Sequence, residues 1–276
     1  MSILFDGIAA LTLKQVIMWI IGGGLIYLAI KKEFEPALLL PMGFGAILVN
    51  FPGSGVLNQM VNGTPVEGIL DFFFAVGITA ELAPLLIFIG IGAMIDFGPL
   101  LQNPSMLLFG AAAQFGIFFT ICIAALFGGF TIEQAASIGI IGAADGPTSI
   151  LVATQLAYDL IGPITVAAYS YMALVPIIQP FTIKLVTTKK ERSIRMKYRA
   201  ESVSKTTRIL FPIIITIVAG LIAPISLPLV GFLMFGNLLR ECGVLERLSQ
   251  TAQNELVNIV TILLGITIAT KMTAEE

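Results

Sequence analysis

The 276-residue chain contains no histidine. Imidazole bases, histidine–metal sites and Ser-His or Cys-His nucleophile pairs are therefore excluded together. Its two cysteines, Cys122 and Cys242, fit neither a disulfide framework nor a zinc site and read as core residues. Charge is scarce as well. Only 12% of residues are charged, against about 25% in an ordinary soluble domain. The net charge of -2 points to no particular partner. No phosphate-cradling motif, metal cluster or nucleic-acid patch is present. Met1 to Leu13 lacks a basic stretch followed by a cleavage site, so the first apolar block is expected to be a retained helix.

Hydrophobic residues make up 57% of the chain, and the mean hydropathy is +0.97. The apolar residues come in blocks, and a membrane-crossing helix needs about 20 of them. Spans are expected from Val16 to Ile30, Pro36 to Phe51, and Met106 to Phe127. Phe72 to Phe97 is interrupted by Glu81 and Pro84, which suggests a short interfacial helix followed by a span. Thr131 to Ala157 is apolar but broken at Gly142-Ala-Ala-Asp-Gly-Pro147. Ile164 to Val186 reads as a span kinked at Pro176 and Pro180. Further blocks run Ile209 to Ile225, Leu227 to Leu239 and Val257 to Ala269. The expected fold is an all-α, polytopic transmembrane protein forming a single membrane domain over 1–276.

Between the spans lies a basic loop, about 187–208, with Lys189, Lys190, Arg192, Arg195, Lys197, Arg199, Lys205 and Arg208. The excess of Lys and Arg assigns it to the cytoplasm. Lys31 and Lys32 suggest the same side for the first loop, and the Lys/Arg-free segment Val56 to Gly68 then falls outside. Counting spans from Lys32, Phe130 emerges outside, and the span from Ile164 must also start outside. Thr131 to Ala157 must therefore enter and leave on one side, as a re-entrant hairpin or a pair of half-helices.

A faint internal repeat is present. PLLIFIGIGAMIDFGPLLQN (Pro84 to Asn103) resembles PLVGFLMFGNLLRECGVLERLSQ (Pro228 to Gln250) at an offset of roughly 145 residues. Repeats of this kind, often inverted, are common in transporters. A transporter-like fold of inverted repeats is expected, the first over about 36–187 and an incomplete second one over about 209–276.

Asp145 is the leading candidate for chemistry. A carboxylate at mid-membrane costs about 2.5–3.5 kcal/mol on insertion scales, and no Lys or Arg lies between Gln102 and Lys184. A bound cation or proton is its natural partner. Pro147 blocks helix continuation, while Gly142 and Gly146 permit a non-helical path that frees carbonyl oxygens. A half-helix starting near Pro147, with Thr148 and Ser149 in its first turn, points its positive end at the break. The ion-binding set is therefore Asp145, Gly142, Gly146, Thr148 and Ser149.

IGAADGPTSI resembles the signature of the membrane (beta) subunits of the Na+-pumping biotin-dependent decarboxylases, which act on oxaloacetate, methylmalonyl-CoA or glutaconyl-CoA. LAIKKEFEPALLLPMGFGAILVNFP, PLLIFIGIGAMIDFGPLLQNP, AYSYMALVPIIQP and MFGNLLRECGVLERL match as well, so the resemblance covers nearly the whole chain. It implies Na+ export driven by decarboxylation of carboxybiotin, with a proton consumed as CO2 leaves. The biotin would arrive on a carboxyltransferase/biotin-carrier subunit rather than on this chain. A small gamma-type membrane subunit, homo-oligomerisation and a prokaryotic cytoplasmic membrane are implied too. The family's intramembrane aspartate, a Na+ and proton ligand, falls on Asp145. Its tyrosine implicated in proton delivery falls on Tyr171. The family continues for about 100 further residues carrying a second polar motif, so this chain resembles a C-terminally truncated form expected to be inactive alone. The alternative is a Na+- or H+-coupled secondary transporter using the same broken-helix site.

Other polar residues read more plainly. Asp96 caps a helix, Asn50 ends a span, and Glu81 and Glu133 are solvated near interfaces. Gln114 and Gln155 either ligate Na+ or bond between helices. Gly22 to Gly24 permit close helix packing.

Overall fold

A computed structural model describes residues 6–33, 36–61, 64–195 and 203–275. The described chain is helical apart from one small hairpin. After a single turn, α1 (Asp6–Ala9), α2 (Leu13–Lys32) is followed by α3 (Pro36–Val49). The strands Asn58–Val61 and Thr64–Glu67 then pair antiparallel, in the polar stretch between spans. Helices α4 (Ile69–Phe74), α5 (Leu82–Met94), α6 (Gly98–Gln102) and α7 (Leu107–Phe127) come next. Then follow α8 (Ile132–Gly139), α9 (Gly146–Leu156) and α10 (Ile161–Val186). The series ends with α11 (Lys189–Arg192), α12 (Lys205–Ile222), α13 (Leu227–Glu241), α14 (Glu246–Thr251) and α15 (Val257–Ile268).

Among the described residues, four helical stretches are long and apolar enough to cross a membrane: Leu13–Lys32, Pro104–Phe127, Lys205–Ile222 and Glu246–Lys271. The helix α10 has 26 residues and runs through Pro176 and Pro180 without ending. Its length is about 39 Å at 1.5 Å per residue. A further candidate is broken. Ile69–Thr79 and Leu82–Met94 are bent by 56° relative to one another, with a π-helical turn at Ala75–Thr79 and the left-handed residue Glu81 (φ 60) at the joint. Glu81 is not simply solvated there, because its carboxylate accepts from Gln155 Nε2 at 2.9 Å. Gln155 thus bonds between helices.

The core runs through α3, α4, α5, α9, α10 and α15, where Met42, Phe74, Ile87, Ile150, Ile164 and Leu264 pack together. Around it large apolar side chains stay exposed, as with Phe109, Phe115, Phe118 and Leu126 of α7. So much exposed apolar surface suits lipid rather than water. Cys122 is one of these exposed residues, and Cys242 is half-buried. Neither is the core cysteine expected from sequence, because in a membrane helix an apolar residue has no need to be inside.

Glycines set where helices meet. A Cβ on Gly22 would lie 2.6 Å from the Gly43 carbonyl oxygen, whereas Gly23 and Gly24 face open space. Only the first of the three serves packing between α2 and α3. Among the described residues, the tightest crossing joins α5 to α13. Gly92 lies on the backbone of Leu233, and Gly236 lies on the backbone of Ile89. Gly92 follows Pro84 at the same spacing as Gly236 follows Pro228, so equivalent residues of the two similar segments touch reciprocally. Asn237, 1% exposed, donates to the carbonyls of Ile95 (2.9 Å) and Gly92 (3.3 Å). The C-terminal ends of both helices lie together. Arg240 Nη1 donates to Met94 O at 2.8 Å, and Arg240 Nη2 lies 4.0 Å from Asp96 Oδ2. Asp96 also caps the next turn, accepting from Gly98 N at 2.8 Å.

Of the basic loop, Lys197 and Arg199 lie outside the described residues. The turn α11 begins at a capping box on Thr188. The backbone N–H and hydroxyl of Thr188 donate to Glu191 and hold its carboxyl below the usual range.

Candidate functional site

The segment around Asp145 is a hairpin whose two ends meet. Thr131 accepts from Gln134 N at 3.3 Å, and Gln134 Oε1 accepts from Thr131 N at 3.2 Å, which starts α8 with a capping box. Gln134 Nε2 then donates to Asp159 Oδ2 at 2.9 Å. Asp159 follows α9, so the outgoing and returning limbs begin and end side by side. Their far ends form the tip.

At the tip, α8 tightens into a 3-10 turn at Ile140–Ala143 and stops. The chain reverses at Ala144, which is left-handed (φ 55, ψ 39), and Asp145 is extended (φ -134, ψ 106). The sequence assigned the irregular path to Gly142 and Gly146. The structure places the left-handed turn on Ala144, at a cost of order 1–3 kcal/mol. Gly142 lies within the 3-10 turn, and Gly146 opens α9 with Pro147 beside it. A Cβ on Gly146 would collide with the ring of Tyr169. Gly146 is therefore needed for close approach, not for a positive φ.

Asp145 is half-buried at the start of α9. The Thr148 hydroxyl donates to its carboxylate, and Ser149 Oγ donates to its main-chain carbonyl at 2.9 Å. Among the described residues no ion pair reaches Asp145, and no three His, Cys, Asp or Glu side chains are grouped as a metal site. Oxygen from one carboxylate, from nearby hydroxyls and from the main chain of the exposed residues Gly142 to Ala144 is what the tip offers. Such a set suits a hard monovalent cation or a proton, while the positive end of α9, with its unpaired first N–H groups, attracts the carboxylate rather than the cation.

A cavity of about 560 Å³ lies beside the tip, lined by Ala113, Gly116, Ile117 and Thr120 of α7, by Ile138, Ile141 and Gly142 of the hairpin, and by Tyr171 of α10. A second cavity of about 350 Å³ follows α10 through Tyr171, Val175, Gln179 and Thr182. Tyr171, 36% exposed, lines both. The predicted residues Asp145, Thr148, Ser149, Gly142 and Gly146 are brought together in one hairpin, and Tyr171 reaches it through the cavity it shares with Gly142. Sequence reasoning missed Tyr169, which is buried against Gly146. Its position two residues before Tyr171 was the only available signal, and neither residue's facing could be read from that.

Known proteins resemble the chain in sequence. Residues 14–276 match the family described as Na+-transporting oxaloacetate decarboxylase beta subunit. The chain is 49% identical to methylmalonyl-CoA decarboxylase subunit beta of Propionigenium modestum, over 98% of this chain and 72% of that one. It is 51% identical to the Veillonella parvula protein of the same name, over 98% and 69% of the two chains. Against the oxaloacetate decarboxylase beta chain of Haemophilus ducreyi the identity is 44%, over 98% and 74%. A match over most of the chain, with the hairpin signature inside it, shows that the protein belongs to the Na+-transporting oxaloacetate decarboxylase beta subunit family.

Proposed function

We propose that this chain acts as the membrane subunit of a sodium pump that couples decarboxylation to Na+ export, with Asp145 as its ion-binding carboxylate. The supporting observation is that a member of a Na+-transporting family holds Asp145, which no ion pair reaches among the described residues, at the tip of a broken hairpin. The carboxylate binds Na+ in one state and a proton in the other. Thr148 and Ser149 hold its side chain and carbonyl, Gly146 lets α9 begin at the break, and Gly142 opens the tip to the cavity. Tyr171, between the two cavities, relays the proton that CO2 release consumes. Carboxybiotin carried by a carboxyltransferase/biotin-carrier subunit supplies the free energy, and this chain binds no biotin covalently. A small gamma-type subunit and further copies of the chain complete the complex in a prokaryotic cytoplasmic membrane. The basic loop 187–208 faces the cytoplasm, from which the α10 cavity leads toward Tyr171.

The organisation that goes with this is a repeat over about 36–187 and a partial second one over about 209–276. The reciprocal contacts of Gly92 and Gly236 support it. In the assembled decarboxylase, Asp145→Asn is expected to abolish Na+-dependent turnover. Parental turnover in that variant removes Asp145 from the site. Dependence on biotinylated carrier protein separates this pump from a secondary transporter.

A further inference from the structure

Two tyrosines of α10 flank the hairpin tip on different sides. Side chains two residues apart on a helix diverge by roughly 200°. Tyr171 lines the cavity that also contains Gly142. Tyr169 is 4% exposed and belongs to the hydrophobic core. Its ring lies against Gly146, where a Cβ would meet Cε1 and Cζ and come within 2.8 Å of the phenol oxygen. Gly146 directly follows Asp145, so this phenol stands at the backbone of the break, away from the cavity.

Other hydroxyls share this buried side. Thr165, one turn before Tyr169 on the same face of α10, is 1% exposed, and its Oγ1 has no hydrogen-bond partner among the described residues. Ser149 of α9 is fully buried and holds the Asp145 carbonyl. An unmatched buried hydroxyl costs about 1–3 kcal/mol, and a packed apolar interface between α9 and α10 has no structural need for one. Oxygen-bearing side chains concentrated behind the break are what a cation-binding carboxylate requires of its surroundings.

We propose that Tyr169 is a positioning residue of the ion site. Its ring fixes Gly146, and its hydroxyl gives the core side of the break a polar wall that orients Asp145 and the Thr148 bound to it. Tyr171 serves the opposite, cavity side. This inference rests on the reading of Asp145 as the Na+ ligand.

The test is the Na+ dependence of decarboxylation by the assembled complex, with KCl holding the ionic strength constant. Tyr169→Phe keeps the ring and removes the hydroxyl. It is expected to raise the half-saturating Na+ concentration about ten-fold, the equivalent of one lost polar interaction, with the maximal rate unchanged. Tyr171→Phe is expected to do the reverse, lowering the rate at unchanged half-saturation. Thr165→Val, nearly isosteric, should shift half-saturation in the same direction as Tyr169→Phe and by less. Thermal unfolding of each variant without Na+ shows whether folding is intact, and a role in packing alone would appear there rather than in the Na+ titration. A parental Na+ curve in Tyr169→Phe and Thr165→Val, while Asp145→Asn is inactive, overturns the role of Tyr169 and leaves Asp145 in place. Retained Na+-dependent turnover in Asp145→Asn overturns the underlying reading instead.

Discussion

Replacing Gly236 by alanine tests the crossing of α5 and α13 directly. The new methyl group would fall on the Ile89 carbonyl oxygen and 3.0 Å from Ala93 N. Both neighbours are backbone, so no rotamer change relieves the clash and the helices must move apart. Overpacking of this kind costs about 1–3 kcal/mol. Separation also loosens the two bonds from Asn237, at 2.9 and 3.3 Å, each worth about 1 kcal/mol. Alanine returns about 1 kcal/mol of helix propensity. The balance is a net loss of about 2–4 kcal/mol, or roughly 3–7 °C in the unfolding midpoint of a chain this long. Gly92→Ala meets the Leu233 carbonyl in the same way and should cost about as much. Because both changes break one contact, the double variant should lose less than the sum. The assay is thermal unfolding of the purified protein in detergent, followed by circular dichroism. A Gly236→Ala protein melting at or above the parent refutes the close crossing, and strict additivity of the two changes refutes its shared nature.

Gly116→Ala is the contrasting case, since a Cβ there meets nothing within 4 Å. It should raise stability by up to about 1 kcal/mol through helix propensity, read in the same melting assay. Asn50 donates to Ala46 O and Met272 O, both at 2.8 Å, and accepts from Ala274 N at 2.7 Å. Asn50→Ala should therefore cost about 2–4 kcal/mol, with the Ala274 amide losing protection from hydrogen exchange while amides of α7 keep theirs. With Cys122 and Cys242 replaced by alanine, Ser193→Cys should react with an impermeant thiol reagent only from the cytoplasmic side and Gln59→Cys only from the opposite side. The same side for both would overturn the assigned orientation.

Much of the candidate site was legible because it is written locally. An aspartate between glycines and a proline, far from any cation in sequence, must break a helix, and Thr148 and Ser149 must then occupy the first turn beyond the break. Span parity required the hairpin ends to return to one side, and the Gln134–Asp159 bond places those ends together. Tyr169 was not legible, because helical facing depends on which neighbour each face packs against. The left-handed turn at Ala144 was not legible either. Glycine is the usual choice for such a turn, but packing of Gly146 against Tyr169 claimed that glycine for another purpose.

By itself, the sequence determined the membrane class, the approximate helix ends and the place of the break, since these follow from runs of apolar residues and from residues that cannot continue a helix. Tertiary structure alone decided which of many glycines carry a crossing, that Glu81 adopts a strained turn bonded to Gln155, and which tyrosine stands on each side of Asp145. Those outcomes depend on contacts between segments far apart in the chain, whose energies no local pattern contains.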